Sequence, residues 1–350
     1  MTLDDVALFR HLPRLIGRVP WVRLGAWPTP VRYAHGVWWK CEGDSHAEYG
    51  GNKIRTLEAW LGHARERGAE TVWAIGAYGS NHVVATIVHA RRAGLRAGAI
   101  VFPQPTSTWA VENCGAIVES GCPIVRLRSV IEVPFVGLAM ARDRRSSVMP
   151  PGGATTVGTF GALSAAFELA EQVARHDLPA PARIVLAVGS TCTTAGLVAG
   201  LVLARAMGVW PWTLPIVHAV RVTPWPVTSR LRIANLARAT LARIDRLVGL
   251  PAPVRFRELL ERLVVDGREL GPGYGEPTPQ SQLAVRALGD APRLDGVYSA
   301  KAAAALLRLQ RRGVEPLLFW SSKSTAVMDP PTPARLVAAP RAITRWLAQR

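Results

Sequence analysis

The chain has 350 residues, 49% of them hydrophobic and 19% charged, with a formal net charge of +17. This length predicts two lobes rather than one core, and no apolar run approaches the roughly 18 residues of a membrane span. The arginines that carry the charge are spread along the sequence, with no basic block interleaved with aromatics; this argues against a nucleic-acid partner and is compatible with attraction for a small anionic substrate.

The first 20 residues hold no basic stretch followed by an apolar core, so no signal peptide is expected and the cytoplasm is the expected location. Four cysteines (Cys41, Cys114, Cys122 and Cys192) are widely spaced. They read as reduced thiols, with neither a disulfide frame nor zinc-ligand spacing.

In chain order, Leu57, Trp60, Leu61 and Ala64 share one face and predict a helix over 55–67, stopped at Gly68. Strands over 71–76, 97–102 and 123–127 alternate with helices over 81–93 and 107–120, and Ser80 is placed to cap the first of these helices. After a Pro/Gly break at 149–153 a helix follows over 157–175, then a strand over 184–188. A small-residue loop over 189–194 leads into a helix over 195–207, a strand over 216–222 and a helix over 229–247. Residues 251–275 show no readable pattern. A strand over 317–320 and a helix over 340–349 close the chain. Strands separated by helix-length crossovers predict an α/β fold, each lobe a mostly parallel sheet flanked by helices. In such sheets ligands bind beyond the carboxyl ends of the strands.

Only four of the 42 basic side chains are lysines: Lys40, Lys53, Lys301 and Lys323. Lys53 follows two glycines in the run Tyr49–Glu58, at the expected start of a helix. Lysine can form an imine with an aldehyde and arginine cannot. A surface lysine on a turn is the plain alternative. Three further strand-to-helix turns carry polar groups. Ser80, Asn81 and His82 offer a hydroxyl, an amide, an imidazole and free N–H groups at one helix start, a seat for a carboxylate or simply a cap. Gly189, Ser190, Thr191, Cys192 and Thr193 supply consecutive N–H groups and hydroxyls that suit a phosphate, or a tight packing turn. Residues 321–324 (Ser-Ser-Lys-Ser) end a buried strand. Tyr274 and Tyr298, two of only five tyrosines, fall in turn-like contexts. An amine, a phosphate cradle, an amide and strand-end hydroxyls together suggest pyridoxal 5'-phosphate, which needs a lysine, a phosphate anchor and partners for its ring oxygen and nitrogen.

From about Leu24 to Trp320 the chain resembles the D-cysteine desulfhydrase / 1-aminocyclopropane-1-carboxylate deaminase family. That family has the tryptophan-synthase-β fold, fold type II of the pyridoxal-phosphate enzymes. The resemblance rests on Gly50-Gly51-Asn52-Lys53-x-Arg55-x-Leu57-Glu58, on Ser80-Asn81-His82, on Gly152-Gly153, on the 189–196 loop, on Gly273-Tyr274-Gly275 and on Val297-Tyr298. It implies a large lobe of residues 1–53 and 161–350, a small lobe of 54–160 inserted into it, and a homodimer. It implies that Lys53 carries the cofactor and that Asn81 meets its ring oxygen. Ser80, Asn81 and His82 would hold a substrate carboxylate, and Gly189 to Thr193 the phosphate. Ser322 would serve a neutral ring nitrogen, and Ser80, Tyr274 and Tyr298 would join Lys53 in catalysis.

The sequence departs from the family pattern in three places. Thr191 and Cys192 replace two glycines of the phosphate loop, which is compatible with backbone contacts if the loop avoids positive φ there. Residues 321–324 replace His-Thr-Gly-Gly, bringing in Lys323. Ser299 follows Tyr298 where the deaminase branch has glutamate, and His82 stands where that branch has glutamine. The implied activity is β-elimination from a small amino acid, as in D-cysteine desulfhydrases. The alternatives are the deaminase reaction, a specialised lyase or isomerase for an uncommon amino acid, and a non-catalytic binding protein of the same fold.

Overall fold

The computed structural model describes residues 3–140, 142–250, 254–289 and 292–349. Its strands are β1 (Val31–Ala34), β2 (Val37–Cys41), β3 (Thr71–Ala77), β4 (Arg96–Phe102), β5 (Ile124–Arg126), β6 (Ser146–Met149), β7 (Arg183–Val188), β8 (Ile216–Arg221), β9 (Leu263–Asp266) and β10 (Leu317–Ser321). They form two sheets. The six-stranded sheet runs β1-β2-β10-β7-β8-β9, and only the β1–β2 edge is antiparallel. The four-stranded sheet runs β5-β4-β3-β6 and is parallel throughout. The α/β class and the mostly parallel sheets therefore agree with the periodicity.

Each sheet has its own core. The large sheet buries Ile184, Leu186, Val217, Leu318 and Trp320 against the helices Phe160–Ala174 and Cys192–Ala206. Those two helices pack closely because Gly196 and Gly200 face Ala162, Leu163 and Ala166, where an added Cβ would come within 2.6 Å of its neighbours. The small sheet buries Val72, Ala74, Ala99 and Val101 with Val83 and Val84 of the helix Asn81–Ala90. Ile343, Trp346 and Leu347, from the helix Arg341–Leu347, join that second cluster, so the chain's end returns to the small sheet. Serine and threonine caps fix several helix starts: Ser80, Ser107, Ser229 and Thr278 each accept a hydrogen bond from a first-turn N–H, worth about 1 kcal/mol apiece.

Two helices begin earlier than their apolar pattern suggests, at Lys53 rather than 55 and at Cys192 rather than 195. The second opens on the small residues Cys-Thr-Thr, which carry little apolar signal, and in the first Lys53 and Arg55 flank a single buried apolar residue, Ile54. The hairpin β1–β2, the strands β6 and β9 and the helices Val133–Met140, Pro279–Leu288 and Ser299–Gln310 are additions to the expected elements.

The helix Lys53–Glu66 is held between the cores. Leu57 and Leu61 pack with the small sheet, while Ala59 belongs to the large cluster. Arg55 anchors this helix from below, donating to both oxygens of Glu42 (2.6 and 2.8 Å) and both of Glu168 (2.9 and 3.0 Å). Lys40 adds a 2.5 Å bond to Glu168, and all four side chains are buried. Glu58, one turn on, accepts from the backbone N–H groups of Leu24 and Gly25 and from the Trp27 indole. Two charged residues of the lysine motif are thus bonded into the framework below the cleft.

Candidate active site

The cleft side of the Lys53–Glu66 helix start is built on glycine. Gly51 has φ +104, and a Cβ there would sit 2.8 Å from the Ser322 carbonyl; a Cβ on Gly50 would collide with the Gly43 carbonyl. The glycines let the chain pass under the end of β10 and present Lys53 as the first residue of the helix. A Cβ on Gly152 would collide with the Ser190 hydroxyl and lie 3.5 Å from Lys53 Nζ. The amine therefore points at the turn after β7. Burial holds the Lys53 ammonium below the usual lysine range, with the Cys192 thiol acting weakly the other way. This is the electrostatic state of a nucleophilic amine.

The 189–193 turn departs from its expected geometry. Thr191 has φ +76, a left-handed conformation that costs a β-branched residue about 1–2 kcal/mol. The condition of no positive φ therefore fails at Thr191 and holds at Cys192, which is already helical. The Thr191 hydroxyl is buried and has no hydrogen-bond partner among the described residues. Cys192 donates its thiol to the Gly153 carbonyl (3.3 Å) and lies 3.7 Å from the Thr56 hydroxyl; burial raises the thiol, opposed by Lys53 and Thr56. Asn52 donates to the Thr193 hydroxyl (2.8 Å), which ties the lysine turn to the same loop.

Across the cleft, Ser80 caps the Asn81–Ala90 helix by accepting from the Val83 N–H (3.4 Å). His82 is buried, and neither ring nitrogen has a hydrogen-bond partner among the described residues. Burial, aided by the Lys53 charge, pushes it down to about 3, so its imidazole is neutral. Asn81 is oriented by three donors to its carbonyl oxygen: Tyr49 Oη (3.0 Å), Asn113 Nδ2 (2.9 Å) and Lys323 Nζ (2.9 Å). With the oxygen so engaged, its amide N–H groups are left for other acceptors. Tyr49 and Asn113 escaped the sequence reading. Tyr49 lies within the lysine motif itself, whereas nothing local marks Asn113.

The two tyrosines meet. Tyr274 Oη and Tyr298 Oη are 2.5 Å apart, with the rings edge to face. Burial raises both phenols, and Tyr298 further through Tyr274, so the pair is protonated and shares one hydrogen bond. A Cβ on Gly189 would lie 3.0 Å from the Tyr298 ring, which places this pair beside the 189–193 turn. Lys301 supports the Tyr274 loop by donating to the carbonyls of Leu270 and Gly273 (2.7 and 3.1 Å). Asp295 sets Tyr298 by accepting from its N–H (2.5 Å) and from the Ser299 hydroxyl (3.0 Å). Ser322 is the least engaged of the expected group; its carbonyl accepts from the Asn52 N–H (3.2 Å) and its hydroxyl makes no hydrogen bond among the described residues. Lys53, the 189–193 turn, His82 and the tyrosine pair thus lie around one cleft.

Residues 14–316 match the model of one protein family, described as pyridoxal-phosphate dependent enzyme. The chain belongs to that family. The enzyme is 33% identical over 325 residues to nocardicin C-9' epimerase of Nocardia uniformis, covering 89% of this chain and 94% of that one. It is 27% identical to D-cysteine desulfhydrase of Klebsiella pneumoniae, covering 83% and 88% of the two chains. Its fold matches the crystal structure of an ACC deaminase homologue with a TM-score of 0.74 at 26% identity, over 93% and 96% of the two chains. The enzyme is thus pyridoxal-phosphate dependent, and relatives that bear the two names of the resemblance are found beside an epimerase.

Proposed function

We propose that the enzyme removes the α-proton of a small amino acid and expels its β-substituent, as a D-cysteine desulfhydrase-like lyase. The observation that carries this is the Lys53 amine, buried and aimed at the Ser190 turn, with the Tyr274–Tyr298 pair at that same turn. The residues fit pyridoxal phosphate. Among the described residues the Thr191 hydroxyl, in the expected phosphate turn, and both His82 nitrogens have no hydrogen-bond partner, and Gly152 leaves open the space beside Lys53. Lys53 would carry the cofactor, Gly189 to Thr193 would hold its phosphate, Asn81 would donate to its ring oxygen, and Ser322 would serve its ring nitrogen. The bound group supplies an electron sink for the charge left on the α-carbon.

The protein's own part is positioning and proton transfer. Ser80 and the first N–H groups of the Asn81–Ala90 helix, with neutral His82, orient the substrate carboxylate. Lys53, its charge disfavoured by burial, accepts the α-proton. The tyrosine pair holds a proton at a phenol oxygen next to the Lys53 turn and can pass it to the leaving group. The Ser299 hydroxyl is committed to Asp295 and offers no carboxylate to a ring nitrogen, which favours the desulfhydrase-like reaction over the deaminase.

The match to an epimerase supports a second reading, an isomerase for an uncommon amino acid. Epimerisation takes the proton from one face and returns one to the other, and the tyrosine pair would be the second proton carrier. One experiment separates the readings. In D2O with D-cysteine and with larger amino acids, a lyase releases sulfide and pyruvate, whereas an isomerase places deuterium at the α-carbon without loss of the side chain. Neither outcome with any amino acid would contradict both. The reading also includes a small lobe of residues 54–160, a homodimer and a cytoplasmic location. In support, β3 to β6 all fall within 54–160, and all four cysteines are free thiols. No helix among the described residues is long and apolar enough to cross a membrane.

A further inference from the structure

Lys323 has so far served only as a donor to Asn81. It is 4% exposed and follows directly on the strand β10 region, at the carboxyl end of the large sheet. Its ammonium donates to Asn81 Oδ1 at 2.9 Å and lies 5.7 and 5.9 Å from the ring centres of Trp109 and Tyr49. With Trp109, Gln104, Tyr274, Tyr298 and the carboxylate of Asp295 it lines a small cavity between the lobes.

A buried ammonium costs several kcal/mol unless a counter-charge pairs with it. An amide oxygen and two aromatic faces give only part of that. The charged groups around it are already committed. Glu112 is ion-paired to Arg293 at 3.0 Å and accepts from the Met328 N–H. Asp295 is occupied by the Val297 and Tyr298 N–H groups and the Ser299 hydroxyl. Among the described residues no carboxylate forms an ion pair with Lys323, and burial holds its ammonium below the usual range. The structure therefore contains a buried cation, bonded to Asn81 and facing a polar cavity, that feels the more distant charges of Asp295 and Glu112 but has no direct ion-pair partner among the described residues.

We propose that Lys323 seats a second oxyanion of the substrate, so that the amino acid carries a carboxylate, sulfonate or phosphate on its side chain. In the proposed function the α-carboxylate takes the Ser80–His82 turn, which leaves the Lys323 ammonium for another group. Asn81 links the two seats, since Lys323 grips its oxygen while its backbone opens the Asn81–Ala90 helix. Trp109, against which the ammonium rests, would flank the side-chain oxyanion. This inference deepens the proposed function and rests on it.

The test is equilibrium binding to the holoenzyme, read from the visible band of the lysine-linked cofactor and from the melting temperature, with alanine and cysteate of both hands as probes. The two ligands share their α-groups and differ by a sulfonate. Cysteate is expected to bind about 10-fold tighter than alanine, equivalent to 1.4 kcal/mol. In Lys323→Met that preference should fall to within about 2-fold, while Lys323→Arg, which keeps the charge, should retain part of it. Equal affinities in the unaltered enzyme, or a preference that survives in Lys323→Met, would overturn the inference. So would an equal loss for both ligands in Lys323→Met, because that would assign the ammonium to the α-carboxylate. A protein that takes up no cofactor and develops no visible band would instead defeat the cofactor reading, and this inference with it.

Discussion

Lys53→Ala is expected to abolish the visible absorption band of the bound cofactor and to lower turnover by about 10³-fold or more, since it removes both the covalent anchor and a proton carrier, the latter alone worth about 10² to 10⁴. The amine cannot be replaced from nearby. Lys40 is buried in the Glu168 network, Lys301 is bonded to the Leu270 and Gly273 carbonyls, and Lys323 is bonded to Asn81. The fold should survive the change, because the Lys53–Glu66 helix is held by Arg55, Leu57, Glu58 and Leu61 rather than by its first residue. Circular dichroism identical to the unaltered protein, combined with loss of the band, is the expected pair of results. A variant that kept the band would contradict the assignment.

Arg55→Met should produce the largest loss of stability of any single change in the lysine motif. Among the described residues it leaves Glu42 and Glu168 buried with only Lys40 as a counter-charge. Breaking a buried ion pair from one side costs about 3–5 kcal/mol, measurable by urea unfolding of the apoprotein. A loss under about 1 kcal/mol would mean that the pocket relaxes or admits water. The pH dependence has a definite sign. Burial disfavours the Glu168 carboxylate, yet Arg55 and Lys40 outweigh it and push the group down from 4.5 to about 2. A carboxylate depressed in the folded state gives its full stabilisation above its unfolded value and loses it as the pH falls. The contribution should thus fade between about pH 4.5 and 2, and the acid limb of the stability curve should be shallower in Arg55→Met. The helix that presents Lys53 rests on this network, so the variant should also retain cofactor less tightly.

The sequence reading and the structure agree where local pattern and local geometry coincide. The β3 to β5 strands carry an apolar run, the helices after Ser80 and Ser229 carry both an apolar period and a cap, and the expected bounds of all five lie within a few residues of those observed. The strand β2 was missed because it reads Val-Trp-Trp-Lys-Cys. A lysine in a buried strand makes sense only once Glu168, far along the chain, is brought beside it. The strand β9 fell in the unreadable 251–275 segment for a similar reason: its Asp266 is buried because His218 and Arg308 reach it, at 3.0 and 2.7 Å.

The candidate site divides in the same way. Lys53, the Ser80 turn and the 189–193 turn were legible because each is a short run at a strand or helix end. The Tyr274–Tyr298 bond, the three donors on Asn81 and the isolation of Lys323 were not, since each joins segments distant in sequence. The positive φ of Thr191 could not be read either. It follows from how β7 meets the helix Cys192–Ala206, and the residue alone would have argued against it.

The central claim is the covalent use of Lys53, and the small number of lysines makes it directly measurable. The protein is incubated with pyridoxal phosphate, reduced with borohydride, digested and mapped by mass spectrometry. The account predicts a single pyridoxyl-phosphate adduct, on Lys53. An adduct on Lys323, Lys40 or Lys301 in its place, or no adduct at saturating cofactor, would contradict it.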